Sequence, residues 1–348
     1  DRHRLVPFSY FGIHDGQDLS QLPFRRGTGY DIEALTNVYT GNDSWAKSVI
    51  QEVLNRISDI HEMRALGFCV SIVHAQFMAK RFNEVGIISL AIWSDTPAEE
   101  RKAALQKLAN KEVNVIFSVD LFNEGVDVPS VDTLFMLRPT ESPTLFLQQL
   151  GRGLRKHDNK SVCTVLDFVG HQHQDFRFDL KLRALLGGTR RQVEQQVKDN
   201  FPYLPAGCHM ELDRVASDIV LQSIKQSVPN RWQSKVQELR LLAASNSDVS
   251  IETYLHETGL EIDDVYASNK SWTELCRDAD LSTLPAGPNE DSLLRAVGRL
   301  LHVDDPDRLT TYKRLVNLDT PPVLENLSIK DKRYLRMLIA SLVDQVVE

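Results

Sequence analysis

Residues 113–137 read VNVIFSVDLFNEGVDVPSVDTLFML. Two apolar runs, Val113–Val119 and Thr133–Leu137, flank a more polar stretch that ends at Pro129. Such runs, short and apolar without alternation, suit strands covered on both faces. Working outward, further runs of this kind stand at Cys69–His74, Ser89–Trp93 and Val162–Phe168. Between them lie segments with helical spacing, notably Gln76–Glu84, Pro97–Ala109 and Pro143–Leu154. Pro97 suits a first helical turn, and Glu99 and Glu100 suit the positive end of its dipole. Strand and helix in strict alternation predict a doubly wound α/β domain around a parallel sheet.

The flanks read differently. Residues 1–30 carry one apolar segment, Leu5–Gly12, followed by a Gly- and Arg-containing stretch, and are expected to be an irregular connector entering the domain. Asn42-Asp43-Ser44 is a cap signal for a helix from about Trp45 to Ile60. After about Phe176 the strand signals fade. Helical spacing at Asp213–Lys225, Trp232–Ala244, Asp291–Leu301 and Lys330–Val347, broken by Pro- and Gly-marked turns, predicts a mainly α-helical second half. The expected organisation is therefore a connector over 1–30, an α/β domain over 31–191 and a helical extension over 192–348. The length of 348 residues fits two or three domains at roughly 150 residues each. The chain opens without Met, which reads as a piece of a longer polypeptide.

Hydrophobic residues make up 42% and charged residues 25%, an ordinary globular balance. No apolar run reaches the roughly 18 residues needed to cross a bilayer, so no membrane partner is expected. Cys69, Cys163, Cys208 and Cys276 lie far apart without a CxxC pair, which reads as reduced thiols in a cytoplasmic protein. A formal net charge of −8 argues against uniform coating by a polyanion. The charge is unevenly placed, however. Arg152, Arg155, Lys156, Lys160, Arg177, Lys181, Arg183, Arg190 and Arg191 crowd the stretch from Gly151 to Arg191, whereas acids dominate from Asp248 to Asp307. The basic stretch is the expected place for a polyanion; for each charge singly, a solvated helix face is the bland alternative.

Two stretches carry chemistry. The first is Gln148-Gln149-Leu150-Gly151-Arg152-Gly153-Leu154-Arg155, where two arginines three apart are expected to project from one helix face. Paired guanidiniums clamp phosphate oxygens, because each planar fork donates bidentately. Gly151 and Gly153 weaken the helix unless something packs closely there, which disfavours a simple surface ion pair. The second is Phe117–Pro129, whose polar residues follow a buried strand and emerge where open α/β sheets bind ligands. His171-Gln172-His173 beside Asp167 and Asp175 is a weak metal candidate, outweighed by polar residues closing a strand. No metal site is expected.

Together these stretches resemble superfamily 2 helicases and translocases of the DEAD/DEAH type. Phe117–Pro129 is similar to their motif V, Gln148–Arg155 matches the QxxGRxxR pattern of motif VI, and Cys69–Ala75 (CVSIVHA) is similar to motif IV. The wording NEGVDVP resembles the branch of excision-repair and restriction-enzyme motors. LVPFSYFGI, YTGND, VDLFNEGVD and VLDFVGHQ resemble bacterial helicases that join a phospholipase D-like nuclease to the motor and carry a C-terminal domain of unknown function. The resemblance implies a second RecA-like lobe. It implies Arg155 as an arginine finger with Arg152 beside it, Gln148, Gly125 and Asp127 at the ATP site, and His74, Ser94 and Ser118 near the nucleic-acid backbone. It further implies ATP and Mg2+ as cofactors, held mainly by a first lobe, and nucleic acid as partner, DNA in preference to RNA. A role in repair, restriction or defence is the expected setting.

The sequence contains no GxxxxGK[ST] loop and no Asp-Glu dipeptide of the kind that cradles phosphates and holds magnesium. In the resembled family both belong to the first lobe. The expectation is half an active site, inactive in ATP hydrolysis by itself; a RecA-like binding or regulatory module without catalysis is the alternative.

Overall fold

The computed structural model describes residues 5–25, 28–119, 128–158, 160–187, 190–226, 231–245, 249–282, 287, 290–317 and 322–343. It contains two compact units, residues 1–227 and 228–348.

The first unit is built on a seven-stranded sheet, in which every adjacent pair is parallel. Its strands are β1 (Phe8–Asp18), β4 (Ala65–Phe68), β5 (Ser89–Trp93), β6 (Val115–Val119), β7 (Thr133–Met136), β8 (Cys163–His171) and β9 (His209–Leu212), in the order β5-β6-β4-β7-β8-β1-β9. The pair β2 (Phe24–Arg25) and β3 (Gly29–Tyr30) forms a separate small ribbon. The helices are α1 (Ile32–Thr40), α2 (Asp43–Arg56), α3 (Ile72–Glu84), α4 (Ala98–Ala109), α5 (Pro143–Gly153), α6 (Phe178–Leu186), α7 (Arg190–Lys198) and α8 (Arg214–Gln226). This is an α/β fold around a parallel sheet, as the alternation of runs predicts, and it is RecA-like, as the resemblance implies. Helices cover the sheet, so β4 and β7 are buried at every position. Phe82 of α3 meets Phe117 of β6 edge-on at 4.9 Å, and Phe135 of β7 lies beside them.

Local chemistry explains the helix starts. The side chain of Asp31 accepts from Ala34 N–H at 2.8 Å to cap α1, and Asn42 accepts from Trp45 N–H at 3.1 Å to cap α2. Ser142 caps α5, with Pro143 in its first turn. No helix among the described residues is long and apolar enough to cross a membrane. The four cysteines form no disulfide.

Three expectations are corrected. Residues 8–18, expected within a connector, form β1, which lies between β8 and β9. Residues 192–227, assigned above to the helical extension, belong to the first unit and supply β9 and α8. The run Cys69–His74 is a strand-to-helix turn: β4 ends at Phe68, and Ser71 accepts from His74 N–H to start α3 inside the apolar run. A run apolar throughout has the same pattern for a buried strand and a buried helical turn.

The second unit contains α9 (Trp232–Ser245), α10 (Ile251–Thr258), α11 (Ile262–Val265), α12 (Trp272–Asp278), α13 (Glu290–Val297), α14 (Pro306–Val316) and α15 (Ile329–Leu342). Its core gathers Leu239, Tyr254, Leu260, Val265 and Leu275, with Trp232 and Trp272 packed against it.

Candidate functional site

The arginine-bearing segment begins on α5. Phe146, Gln149 and Leu150 turn inward, whereas Gln148 is exposed. Gln148 and Arg152, four apart, share a face. The helix stops at Gly153, where a Cβ would stand 2.4 Å from Cys163 Sγ and 2.9 Å from Leu134. Glycine is therefore what lets the end of α5 rest on β7 and β8. Arg155, expected on the same helix face as Arg152, instead lies beyond the helix, in an antiparallel bridge with Leu5. Val6 N–H donates to Leu154 O at 2.8 Å and holds this extended exit in place. Arg152 and Arg155 are both half-buried. Because α5 connects β7 to parallel β8, its end and both arginines sit by the amino ends of the strands.

The opposite, carboxyl edge has a different character. There the chain leaves β4, β5, β6 and β7, and α3 and α5 begin with their positive ends toward that edge. A cavity of about 510 Å³ opens there, lined among others by Tyr30, Asp31, Val70, Arg138, Thr140 and Ser142. The positive ends of α3 and α5 beside a half-buried arginine suit phosphate oxygens. Arg138 and Thr140 were not singled out from the sequence; an Arg following a buried strand was the available signal. Ser94 is exposed in the turn after β5, its hydroxyl donating to Asp95 Oδ1 at 3.3 Å. The chain passes from the carboxyl edge at Val119 to the amino end of β7 after Val128. Residues 120–127, including Gly125 and Asp127, lie outside the described residues.

Residues 46–157 match the helicase conserved C-terminal domain. The match runs from α2 to just beyond Arg155. Over 122 residues the chain is 35% identical to the putative ATP-dependent helicase IRC3 of Saccharomyces cerevisiae, a span covering 35% of this chain and 18% of that protein. It is 29% identical over 198 residues to a 51.5 kDa protein of a Lactococcus phage, covering 56% and 42%. Over 106 residues it is 32% identical to the DNA 3'-5' translocase XPB2 of Sulfurisphaera tokodaii, covering 30% and 24%. The matched regions thus span less than half the length of each of these relatives.

Within the matched region, two expected nucleic-acid contacts prove to be interior. His74 is fully buried in α3, stacked on Tyr39 at 5.0 Å and near Trp45 at 5.4 Å. Its Nδ1 accepts from Val70 N–H at 3.3 Å, and burial pushes its pKa down to about 3, so the ring is neutral. Ser118 is 1% exposed, inside β6. Neither side chain reaches a polyanion outside the protein.

The basic stretch is corrected too. Arg177 is 4% exposed and donates twice to the buried Asp179, at 2.7 Å each. Lys181 is buried against Asp167, which also accepts from Tyr10 OH. These cations neutralise interior carboxylates instead of forming a solvent-facing patch, because a buried charge requires a partner. His173 stacks on Phe24 at 5.1 Å, and its backbone N–H donates to Tyr30 OH at 2.6 Å. Among the described residues no three His, Cys, Asp or Glu groups converge on a possible metal position. Ligands for Mg2+ are not found in the described part of the chain.

Proposed function

We propose that this chain supplies the second motor lobe of a superfamily 2 nucleic-acid helicase or translocase, completing an ATP site whose phosphate cradle and magnesium ligands come from a first lobe. The observation that carries the proposal is the placement of Arg152 and Arg155 on a rigidly held segment at one edge of the sheet, within the match to the helicase C-terminal domain. In this reading Arg155 donates to the oxygens of the transferring phosphoryl group, Arg152 stands beside it, and Gln148 lines the same cleft. Gly125 and Asp127 remain proposed ATP-site residues. Bound ATP with Mg2+ supplies the phosphoryl group and charge neutralisation; this chain contributes guanidiniums already oriented before reaction.

Nucleic acid is proposed to lie along the carboxyl edge, where the starts of α3 and α5, Arg138 and Ser94 contact phosphates. Contacts to phosphate oxygens make binding sequence-tolerant and salt-sensitive. DNA is preferred over RNA, on the resemblance of NEGVDVP to repair and restriction motors. A nuclease domain elsewhere in the same polypeptide, and a setting in repair, restriction or defence, rest on the resemblance to nuclease-linked helicases.

The test is nucleic-acid-stimulated ATP hydrolysis by the complete polypeptide. Arg155→Ala is expected to lower turnover by about 10³-fold or more, the usual worth of an arginine finger, without changing thermal unfolding. Arg155→Lys should fail as well, because an ammonium does not reproduce the fork. Wild-type turnover in either variant would favour a RecA-like binding module without catalysis.

A further inference from the structure

Lys160 is 7% exposed, and its ammonium donates to three backbone carbonyls: Pro129 O at 2.7 Å, Val131 O at 2.7 Å and Gly153 O at 3.0 Å. An ammonium has three protons, and here each has an acceptor. These acceptors belong to two separate pieces of chain. Pro129 and Val131 end the connection from β6 to β7, whereas Gly153 is the last residue of α5, one after Arg152 and two before Arg155.

The carbonyls at a helix end have no partner within the helix, and a cation there also meets the negative end of the dipole. Lys160 supplies both at Gly153. The opposite side of Gly153 is closed by Cys163 and Leu134, and the next peptide is tied to Val6. The lysine therefore joins the last residue of α5, between Arg152 and Arg155, to the residues that lead into β7. Burial lowers its pKa, while Asp132 and Cys163 act in the opposite sense and Arg64 adds to the lowering. Among the described residues Lys160 forms no ion pair with a carboxylate, so these carbonyls are its hydrogen-bond partners.

A structural filler would not need this arrangement. An apolar side chain could occupy the same volume, but it would leave three converging carbonyls without a donor, and the two pieces would separate to reach water. We propose that Lys160 is a positioning residue for phosphoryl transfer: by holding the carbonyl of Gly153 against those of Pro129 and Val131, it fixes the end of α5 and with it the place of Arg152 and Arg155 toward ATP. This inference rests on the arginine role proposed above. A guanidinium at position 160 would retain charge but spread its donors over a rigid plane, which does not converge on carbonyls arranged around a single nitrogen.

The experiment measures steady-state ATP hydrolysis of the complete polypeptide with saturating single-stranded DNA, for wild type, Arg155→Ala, Lys160→Met and Lys160→Arg, each checked for cooperative thermal unfolding. Misplaced catalytic groups lower kcat, whereas lost ground-state contacts raise KM, so the expected result for both Lys160 variants is a kcat about tenfold lower or more with KM for ATP changed by about threefold or less. If Lys160→Met fails to unfold cooperatively, Lys160→Arg decides. Wild-type kcat in a folded Lys160 variant, alongside an inactive Arg155→Ala, would overturn the positioning role and leave the arginine role standing. Wild-type kcat in Arg155→Ala would instead overturn the arginine role on which the inference rests. A rise in KM with unchanged kcat in the Lys160 variants would assign the lysine to binding and also overturn it.

Discussion

The indole of Trp45 donates to Asp15 Oδ2 at 3.1 Å and packs on the ring of His74, bringing together two groups whose titrations act on stability in opposite directions. Burial lowers the pKa of His74 from 6.5 to about 3, so between those values the unfolded chain binds the proton and the folded chain does not. Stability from His74 is therefore complete above about pH 6.5 and falls as pH drops toward 3. Burial raises Asp15 from 3.8 to about 6, against hydrogen bonds from Gln17 and Trp45 that lower it. There the folded chain holds the proton, and the Asp15 contribution falls as pH rises from 3.8 to about 6. Comparing wild type with His74→Phe by urea unfolding at several pH values isolates the first effect. The stability difference is expected to move in favour of wild type as pH rises from 4 to 6.5, by at most about 1.4 kcal/mol per pH unit, and then level off. Asp15→Asn should show the opposite slope. A His74→Phe difference that stays constant from pH 4 to 7 would contradict a neutral, buried ring. The resemblance placed His74 near a nucleic-acid backbone, whereas its burial depends on Tyr39 of α1 and Trp45 of α2, which lie some thirty residues away in the chain.

Strand β1 is the element whose role was least legible. Pro7 and Gly12 bracket its apolar part, and both are ordinary signals of a loop. In the fold, Gly12 has a strand function: a Cβ there would lie 2.1 Å from Leu212 Cδ2, so glycine permits β9 to pair alongside. Its neighbours Phe8, Tyr10 and Ile13 are buried, and the strand runs in register from Phe8 with Cys163 to His14 with Val169. A chain beginning at residue 31, the boundary expected from sequence, would expose the partner edge of β8 and detach β9. That shortened chain is expected to lose the cooperative thermal transition of the first unit and its near-ultraviolet circular dichroism. Retention of both would show that β1 is dispensable. The elements from β5 to α5 were legible, because each is a short apolar run or an amphipathic repeat.

For the molecule as a whole, the division of labour leads to two expectations. The chain alone should hydrolyse ATP no faster than background, since its sequence carries no phosphate-cradling loop and its described residues gather no magnesium ligands. Robust turnover by the purified chain, abolished by Arg155→Ala, would contradict the half-site reading. Photoreactive single-stranded DNA bound to the complete polypeptide should crosslink to residues 1–227 at the carboxyl edge of the sheet, near Ser94 and Arg138. The second unit holds some of its acids in contacts of its own: Trp232 Nε1 donates to Asp278 Oδ2, Arg240 pairs with Asp280, and Arg277 pairs with Glu290. Adducts confined to residues 248–307 would make that unit the nucleic-acid reader instead.

The sequence by itself determined the parallel α/β core, the starts of α2, α4 and α5 and the arginine motif, because each is written in residues close together in the chain. A cap acts on the N–H groups two or three residues on, an apolar run acts over one strand, and Gln148 to Arg155 are consecutive residues. Only the tertiary structure decided that β1 and β9 complete the sheet, because parallel partners meet across long separations: Phe8 pairs with Cys163, and Ser9 with His209. It also decided that Arg177 and Lys181 face inward and that Arg155 leaves the helix that carries Arg152. Charge and spacing are local properties, whereas the side of the protein on which a charge lies is set by what packs against it.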